Sequence, residues 1–307
     1  MHYTELLRRS VRIAWHNRWL WLLALFAAET GGGGGNFSSR ISGNPFSNQT
    51  QSGRAAPFNP SLVTDWIQQH AALLIALGAA LVVIWILLFL LSCACAPALV
   101  RGIQEIDADR PAGLGRAWTM GRERFAEVLR LRLALLLIWI AILVLFGLLV
   151  AAGIVLFRSN SPSGVAVVVA FGISLALVSF LLALALGFIT PLALRAAALE
   201  QQPGWSALRR AYRLTVGHPG RVLACWGLML ACQLGFGIGV AVVATVAGIP
   251  AALAVFAAVA AGQLALAIVA GALVVVVLGG ALLVAGAAFA AFYASFWTLA
   301  FVRLENA

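Results

Sequence analysis

The chain has 307 residues, of which 63% are hydrophobic and only 10% are charged. Soluble globular domains are about 25% charged, so this composition excludes an ordinary soluble protein and indicates a membrane protein. The net charge of +10 comes from arginine alone, because the 20 basic residues include no lysine. The arginines are not gathered in one soluble basic region, so we expect them to mark the cytoplasmic side of a membrane rather than to bind nucleic acid.

The N-terminal region predicts a basic segment followed by a first membrane span. A short apolar run at 19–28 comes after several basic residues, an arrangement that also occurs in signal peptides. No small-residue cleavage site follows this run, so we favour a membrane helix over residues 15–31. Arg18 would then extend to the inner interface, where tryptophan side chains are common.

Residues 31–60 form a polar segment that is rich in glycine, serine, asparagine and proline. Such a segment cannot bury enough apolar surface to fold alone, so we predict a disordered loop on the extracytoplasmic side. Asn36 and Asn48 each begin a glycosylation triplet, which would matter only in a eukaryotic secretory setting.

Further uncharged segments are long enough to cross a membrane. They cover residues 71–100, 133–157 and 165–194, and the uncharged stretch 222–302 must hold at least two more spans. Two spans in that stretch give six in all, with residues 250–270 as an apolar segment in the outer leaflet. Breaks near Pro250 and Gly279 would instead give three spans there and seven in all.

The placement of the arginines predicts that both termini face the cytoplasm. With six spans, 17 of the 20 basic residues fall on the cytoplasmic side, and only Arg40, Arg54 and Arg158 fall outside. Membrane proteins retain basic residues on the cytoplasmic side, so we predict a multi-pass protein of the cell membrane in this orientation.

Three units of roughly one hundred residues repeat along the chain. Arg9, Arg116 and Arg210 take the same place in three basic segments, and each is followed by a small and then a bulky residue. Each unit is predicted to contain an amphipathic basic helix, a span out, a loop and a span back. The result is an all-α bundle with a pseudo-symmetry axis along the membrane normal. The units are residues 1–101, 102–195 and 196–307.

Each basic segment is predicted to form an amphipathic helix in the headgroup plane. Val11 belongs to the apolar face of the first helix, and Trp205, Tyr212 and Val216 belong to that of the third. The second is predicted as one helix over residues 114–128.

The arginines of these three helices are candidates for docking an anionic lipid or an acidic membrane protein partner. Each basic residue near an anionic lipid surface contributes about 1 kcal/mol. The alternative is that they only fix the topology. The candidates are Arg8, Arg9, Arg12, Arg116, Arg122, Arg209, Arg210 and Arg213.

Nothing in the sequence indicates an enzyme, a cofactor or a metal site. No charged residue lies in the centre of a predicted span, where proton and ion pathways need one. Small residues at helix-packing spacing are found at Gly235, Gly239 and Gly286. Four cysteines lie in apolar runs without histidine at ligand spacing, namely Cys93, Cys95, Cys225 and Cys232.

The chain resembles a broad group of poorly characterised prokaryotic membrane proteins in three motifs, which are AWHNRWLWLLALF, ITPLALRAAALE and YASFWTLAFVRL. This group includes the membrane domain attached to some bacterial glycerophosphodiester phosphodiesterases. The resemblance implies a six-helix membrane domain. It carries no catalytic residue across, because the soluble domain that holds the metal site of those enzymes has no counterpart in this sequence.

These features favour a non-enzymatic scaffold or accessory subunit that docks lipid or a partner through basic cytoplasmic helices. The alternative is a transporter or flippase for a lipid-like or apolar solute. A polar cavity on the pseudo-symmetry axis would favour the transporter, and a closed apolar centre would favour the scaffold.

Overall fold

The computed structural model describes residues 3–27, 69–158, 162–200, 202 and 204–305, without the side chains of residues 156–166. The loop predicted at 31–60 lies outside the described residues. Within them the chain forms helices and no strand. The helices are α1 (Tyr3–His16), α2 (Trp19–Ala27), α3 (Ala71–Asp107), α4 (Leu114–Glu123), α5 (Phe125–Arg158), α6 (Pro162–Leu199), α7 (Gly204–Gly217), α8 (Pro219–Ala260) and α9 (Leu264–Glu305).

Five of these helices, α3, α5, α6, α8 and α9, are long and apolar enough to cross a membrane. The all-α fold and the multi-pass membrane character predicted from composition are therefore confirmed at this level. The predicted first span corresponds to α2, which has 9 residues and is not among these five helices. A count of six spans stays a prediction.

The N-terminal segment turns between α1 and α2, so the helix predicted to start at Trp15 begins at Trp19 instead. The side chain of Asn17 donates a hydrogen bond to the carbonyl oxygen of Ile13 at 3.1 Å. This side chain competes with the helical backbone for its acceptor, which favours a break.

The second basic segment also contains a break. Helix α4 ends at Glu123 and α5 begins at Phe125, so the prediction of one helix over residues 114–128 was wrong. Near the end of α4, Gly121 lies against α3, and a Cβ at this position would lie 2.6 Å from the Cβ of Ala98. Val128 belongs to α5 and is fully buried.

The long uncharged stretch forms one helical hairpin. Helices α8 and α9 have 42 residues each, and they are joined by a turn in which Gly262 has a φ of +75°. Glycine adopts this left-handed conformation without steric cost. Pro250 lies inside α8, and Gly279 lies inside α9. The structure therefore has neither of the breaks that seven spans would need, nor a separate apolar segment at 250–270.

Helices α3, α6 and α9 contact one another pairwise at the centre of the bundle. Helix α2 packs against α3 and α9, α5 packs against α6 and α3, and α8 packs against α9. The three short helices lie on the same assembly, with α1 on α9, α4 on α3 and α7 on α6.

The hydrophobic core is concentrated at one end of the bundle, which we call the packed end. It contains the C-terminal parts of α3, α6 and α9, together with buried residues of α1, α2, α4 and α7. Trp297, Phe296 and Phe301 are among its largest fully buried side chains. Away from the packed end, most large apolar side chains of the five long helices are exposed, as expected for surfaces that contact lipid.

Candidate functional site

The short helices α4 and α7 attach to the packed end through small residues. On α7, Gly204, Ala207 and Ala211 are buried, and on α4, Ala117 and Gly121 are buried. A Cβ on Gly204 would lie 2.7 Å from the backbone nitrogen of a residue of α5. Small side chains allow this close approach and hold one side of each helix against the bundle.

Only part of the apolar face predicted for α7 packs on the bundle, because Ala211 is buried and Leu208 packs against the core, whereas the other members are exposed. Trp205, Tyr212 and Val216 are all more than half exposed. On α1, Val11 and Trp15 are exposed to a similar extent. Both helices therefore present large apolar side chains outward beside their exposed arginines, and the residues that α7 buries are small.

The arginines at matching positions of the first two basic segments form ion pairs with the end of α3. The Nε atom of Arg9 lies 2.6 Å from Oδ1 of Asp107, and its Nη2 donates to the Asp107 carbonyl oxygen at 2.9 Å. The Nη2 atom of Arg116 lies 3.6 Å from Oε2 of Glu105. Both arginines thus attach a short helix to a long one.

The matching arginine of the third segment joins the ends of two long helices. The Nε atom of Arg210 lies 3.3 Å from Oε2 of Glu200, which follows α6, and its Nη2 lies 3.3 Å from Oε1 of Glu305 on α9. Burial raises the pKa of Glu200, the positive charge of Arg210 opposes this rise, and the nearby Glu305 carboxyl adds to it.

The other candidate arginines have a different environment. They are exposed, and they form no hydrogen bond or ion pair with any residue that the structure describes. We refer to them as the five exposed arginines: Arg8, Arg12, Arg122, Arg209 and Arg213.

Two arginines near the ends of long helices hold the central helices together. Arg195 of α6 is 1% exposed, and its Nη2 donates to the carbonyl oxygen of Ala294 on α9 at 3.4 Å. Arg101 of α3 donates to the carbonyl oxygens of Ala198 and Leu199 at 3.0 and 3.1 Å. Sequence reasoning counted both only as cytoplasmic charges. Their shared position four residues after a proline was the available signal.

Arg132 is a third structural arginine that the sequence did not single out. Its guanidinium donates to the hydroxyl of Ser92 on α3 and to the carbonyl oxygen of Ala27 on α2. Ser92 also donates to the Ala27 carbonyl oxygen, at 3.0 Å. A cation near the carbonyl end of a helix is favourable, so this contact stabilises the meeting of α2, α3 and α5.

The glycines predicted to mark helix packing do not approach another helix. A Cβ built on Gly235, Gly239 or Gly286 would meet no atom within 4 Å in the described part of the chain. The close approaches are elsewhere: besides Gly121 and Gly204, a Cβ on Gly102 would lie 2.7 Å from the ring of Trp19.

The cysteines are thiols inside helices. Cys93, Cys95 and Cys225 are buried, and Cys232 is half-buried. Within the described residues, no group of three or more histidine, cysteine, aspartate or glutamate side chains could hold a metal ion.

Comparisons with known proteins identify a family without an assigned activity. No curated protein and no solved structure matches the chain. A family model of unknown function matches residues 8–303, from α1 to the last turn of α9. The chain therefore belongs to the family of unknown function DUF7544.

Proposed function

We propose that this protein is a non-enzymatic membrane protein whose cytoplasmic face binds anionic lipid through the exposed arginines of α1, α4 and α7. The proposal rests on a difference among the eight candidate arginines, some of which are paired with acids and some of which are not. Arg9, Arg116 and Arg210 are in ion pairs that attach helices, whereas the five exposed arginines have no partner among the described residues.

The neighbours of the exposed arginines support a lipid surface as the partner. Trp205 and Tyr212 are exposed on α7 next to Arg209 and Arg213, and Trp15 is exposed on α1 close to Arg12. Tryptophan and tyrosine combine an apolar ring with a polar tip and are enriched at the boundary between headgroups and acyl chains.

We further propose that the chain consists of three units arranged around an axis, with six spans and both termini in the cytoplasm. The contacts of the short helices support this arrangement. Helix α4 packs on α3 and α7 packs on α6, each on the last helix of the preceding unit. Helix α1 packs on α9, the last helix of the third unit, which closes a ring.

The centre of the packed end favours a scaffold over a transporter. Helices α3, α6 and α9 contact one another there. Four of their apolar residues in this region are fully buried, namely Leu99, Ile103, Leu192 and Phe301. A passage for a lipid-like solute would need an opening at this level, so docking is the function that the geometry supports better.

The proposal is tested on the full-length protein extracted with its surrounding lipid into polymer nanodiscs from membranes of mixed composition. We expect the wild type to enrich anionic lipid and Arg209→Gln/Arg213→Gln to weaken this preference by about 2 kcal/mol, at about 1 kcal/mol per residue. The effect should shrink at 1 M salt, where the Debye length is about 3 Å.

The matched control is Arg40→Gln/Arg54→Gln, which removes the same charge from the predicted extracytoplasmic loop and should leave the enrichment unchanged. Equal anionic lipid content for the wild type and the α7 variant would refute lipid docking and leave these arginines as topology markers.

A further inference from the structure

A cleft of about 560 Å³ lies between α1 and the C-terminal end of α3. One of its walls is a row of α1 side chains, Arg8, Arg12 and His16, whose spacing of four residues places them on the same side of a helix. The opposite wall includes Asp107 and Asp109 at the end of α3. Binding sites for small molecules have volumes of about 300–1,000 Å³, so the cleft can admit a lipid headgroup.

The charges of the cleft are balanced but only partly paired. Arg9 and Asp107 neutralise each other in the ion pair that joins the two walls. Arg8 and Arg12 remain without a partner among the described residues, and the same holds for the carboxylates of Glu5 and Asp109. The cleft thus offers two unpaired guanidinium groups and two unpaired carboxylates to a ligand.

Asp109 lies in a tight turn that follows α3. Its backbone has a φ of 54°, and its backbone nitrogen donates to the carbonyl oxygen of Ile106 at 3.1 Å. Aspartate is among the few residues that tolerate this left-handed conformation, because its short side chain can hydrogen-bond locally. The tight turn that ends α3 therefore holds a carboxylate on the wall opposite the arginine row.

The position of the cleft on α1 suits a ligand with an apolar tail. Val11 and Trp15 are exposed on the same helix, next to Arg8 and Arg12 and away from the buried residues Leu6 and Ser10. A phosphate held by the two arginines would thus have exposed apolar side chains beside it. A free phosphate would make no contact with these exposed apolar side chains.

We propose that this cleft binds the headgroup of a phospholipid that carries both a phosphodiester and an ammonium group. Arg8 and Arg12 donate charge-assisted hydrogen bonds to the phosphodiester, and Asp109 and Glu5 accept from the ammonium group. A purely anionic headgroup would leave two carboxylates facing it. The inference rests on the lipid docking proposed above and narrows it: in the α1 cleft the bound phospholipid is zwitterionic, and the attraction to anionic lipid is assigned to the exposed arginines of α4 and α7.

The test uses the full-length protein in detergent, where no bilayer surface is present, and native mass spectrometry counts the lipids that it retains. Dihexanoyl phosphatidylethanolamine is titrated against dihexanoyl phosphatidylglycerol, with inorganic phosphate as a competitor. We expect the wild type to retain the ethanolamine lipid preferentially. Arg8→Gln/Arg12→Gln should weaken its binding by roughly tenfold or more, the loss expected for one or two charge-assisted hydrogen bonds.

Two further variants make the outcome decisive. Asp109→Asn should abolish the preference for ethanolamine over glycerol, while the melting temperature reports that the variant is folded. Arg209→Gln/Arg213→Gln removes an equal charge from α7, so it should lower anionic lipid enrichment in nanodiscs but leave ethanolamine lipid binding in detergent intact.

Equal loss of the ethanolamine lipid in the α1 and α7 variants would show that the cleft is not its binding site and that general attraction to the basic surface explains its retention. Equal retention of both lipids by the wild type would show that the cleft does not select a zwitterionic headgroup. Complete competition by inorganic phosphate at equal concentration would assign the cleft to a free phosphate instead of a lipid.

Discussion

A single buried arginine connects two of the central helices. Arg195 belongs to α6, and its guanidinium bonds a carbonyl oxygen of its own helix, that of Pro191, and one of α9, that of Ala294. Because the side chain is 1% exposed, its removal leaves both a cavity and backbone acceptors without their charged donor.

We expect Arg195→Met to lower the free energy of unfolding by about 3 kcal/mol, because hydrogen bonds to a charged group are lost within a packed core. Thermal denaturation in detergent measures the change. Arg213→Met removes an exposed arginine from α7 and should cost less than about 0.5 kcal/mol. Similar costs for the two variants would show that Arg195 is not a structural residue.

Glu200 should make the stability of the protein depend on pH. Burial raises the pKa of its carboxyl, Arg210 partly offsets this rise, and Glu305 adds to it. An acid with a raised pKa binds its proton more tightly in the folded state. Its stabilising contribution is therefore full below the ordinary pKa and is lost as the pH rises through the raised value. We expect the melting temperature to fall over this window, and Glu200→Gln to flatten the fall.

A matched control for this pH dependence is Glu123→Gln on α4, where the carboxylate is exposed. This variant should keep the dependence of the wild type. A pH profile that is unchanged in Glu200→Gln would contradict the role assigned to this carboxyl.

The long helices could be predicted from the sequence because each contains a long uncharged run, whereas the places where short helices end could not. The end of α1 coincides with the hydrogen bond from Asn17 to Ile13, and α4 ends two residues after Gly121, which lies against Ala98. Neither contact leaves a periodic signal. A pattern of apolar residues therefore finds an element more reliably than it finds its boundary.

The candidate site was predicted only in part for a related reason. The sequence placed eight arginines on three short helices, and the helices are present. Which arginines are paired depends on acids at the ends of long helices, such as Asp107, Glu200 and Glu305. Those acids are brought close by tertiary packing, so spacing along one helix could not separate Arg210 from Arg209.

We expect the packing of α4 on α3 to be sensitive to one methyl group. Gly121→Ala would place a Cβ 2.8 Å from the Cα of Ala98, and backbone atoms cannot move aside easily. The substitution should lower the melting temperature, with a loss of about 1–3 kcal/mol from overpacking.

The same change elsewhere on α4 serves as the control. A Cβ on Gly115 would meet nothing within 4 Å, so Gly115→Ala should be neutral or stabilise the helix by about 0.5–1 kcal/mol. Equal effects of the two substitutions would mean that α4 does not approach α3 at Gly121.

At the scale of the whole molecule, the proposed ring arrangement predicts that both termini are on one side of the membrane. Helix α1 packs on α9, so the first described helix and the last one meet at the packed end. We expect His2→Cys and Asn306→Cys to react with an impermeant thiol reagent only after the cytoplasmic side is opened. Labelling of the two positions from opposite sides would require an odd number of spans and would exclude the ring arrangement.

The two helices of the α8–α9 hairpin have longer uncharged segments than α5 has. Each of its helices has 42 residues, and charges occur only near one end, at Arg221 on α8 and at Arg303 and Glu305 on α9, so the uncharged part of each is about 58 Å long at about 1.5 Å per residue. On α5, Arg132 and Arg158 are about 39 Å apart by the same rise.

Since a bilayer is only about 40–45 Å thick with its headgroups, the hairpin must tilt, bend near Pro250 or thicken the lipid around it, whereas α5 need not. The protein should therefore respond to acyl-chain length. We expect its melting temperature in nanodiscs to be higher with long-chain than with short-chain lipids, and the protein to gather in the thicker regions of a membrane of mixed thickness.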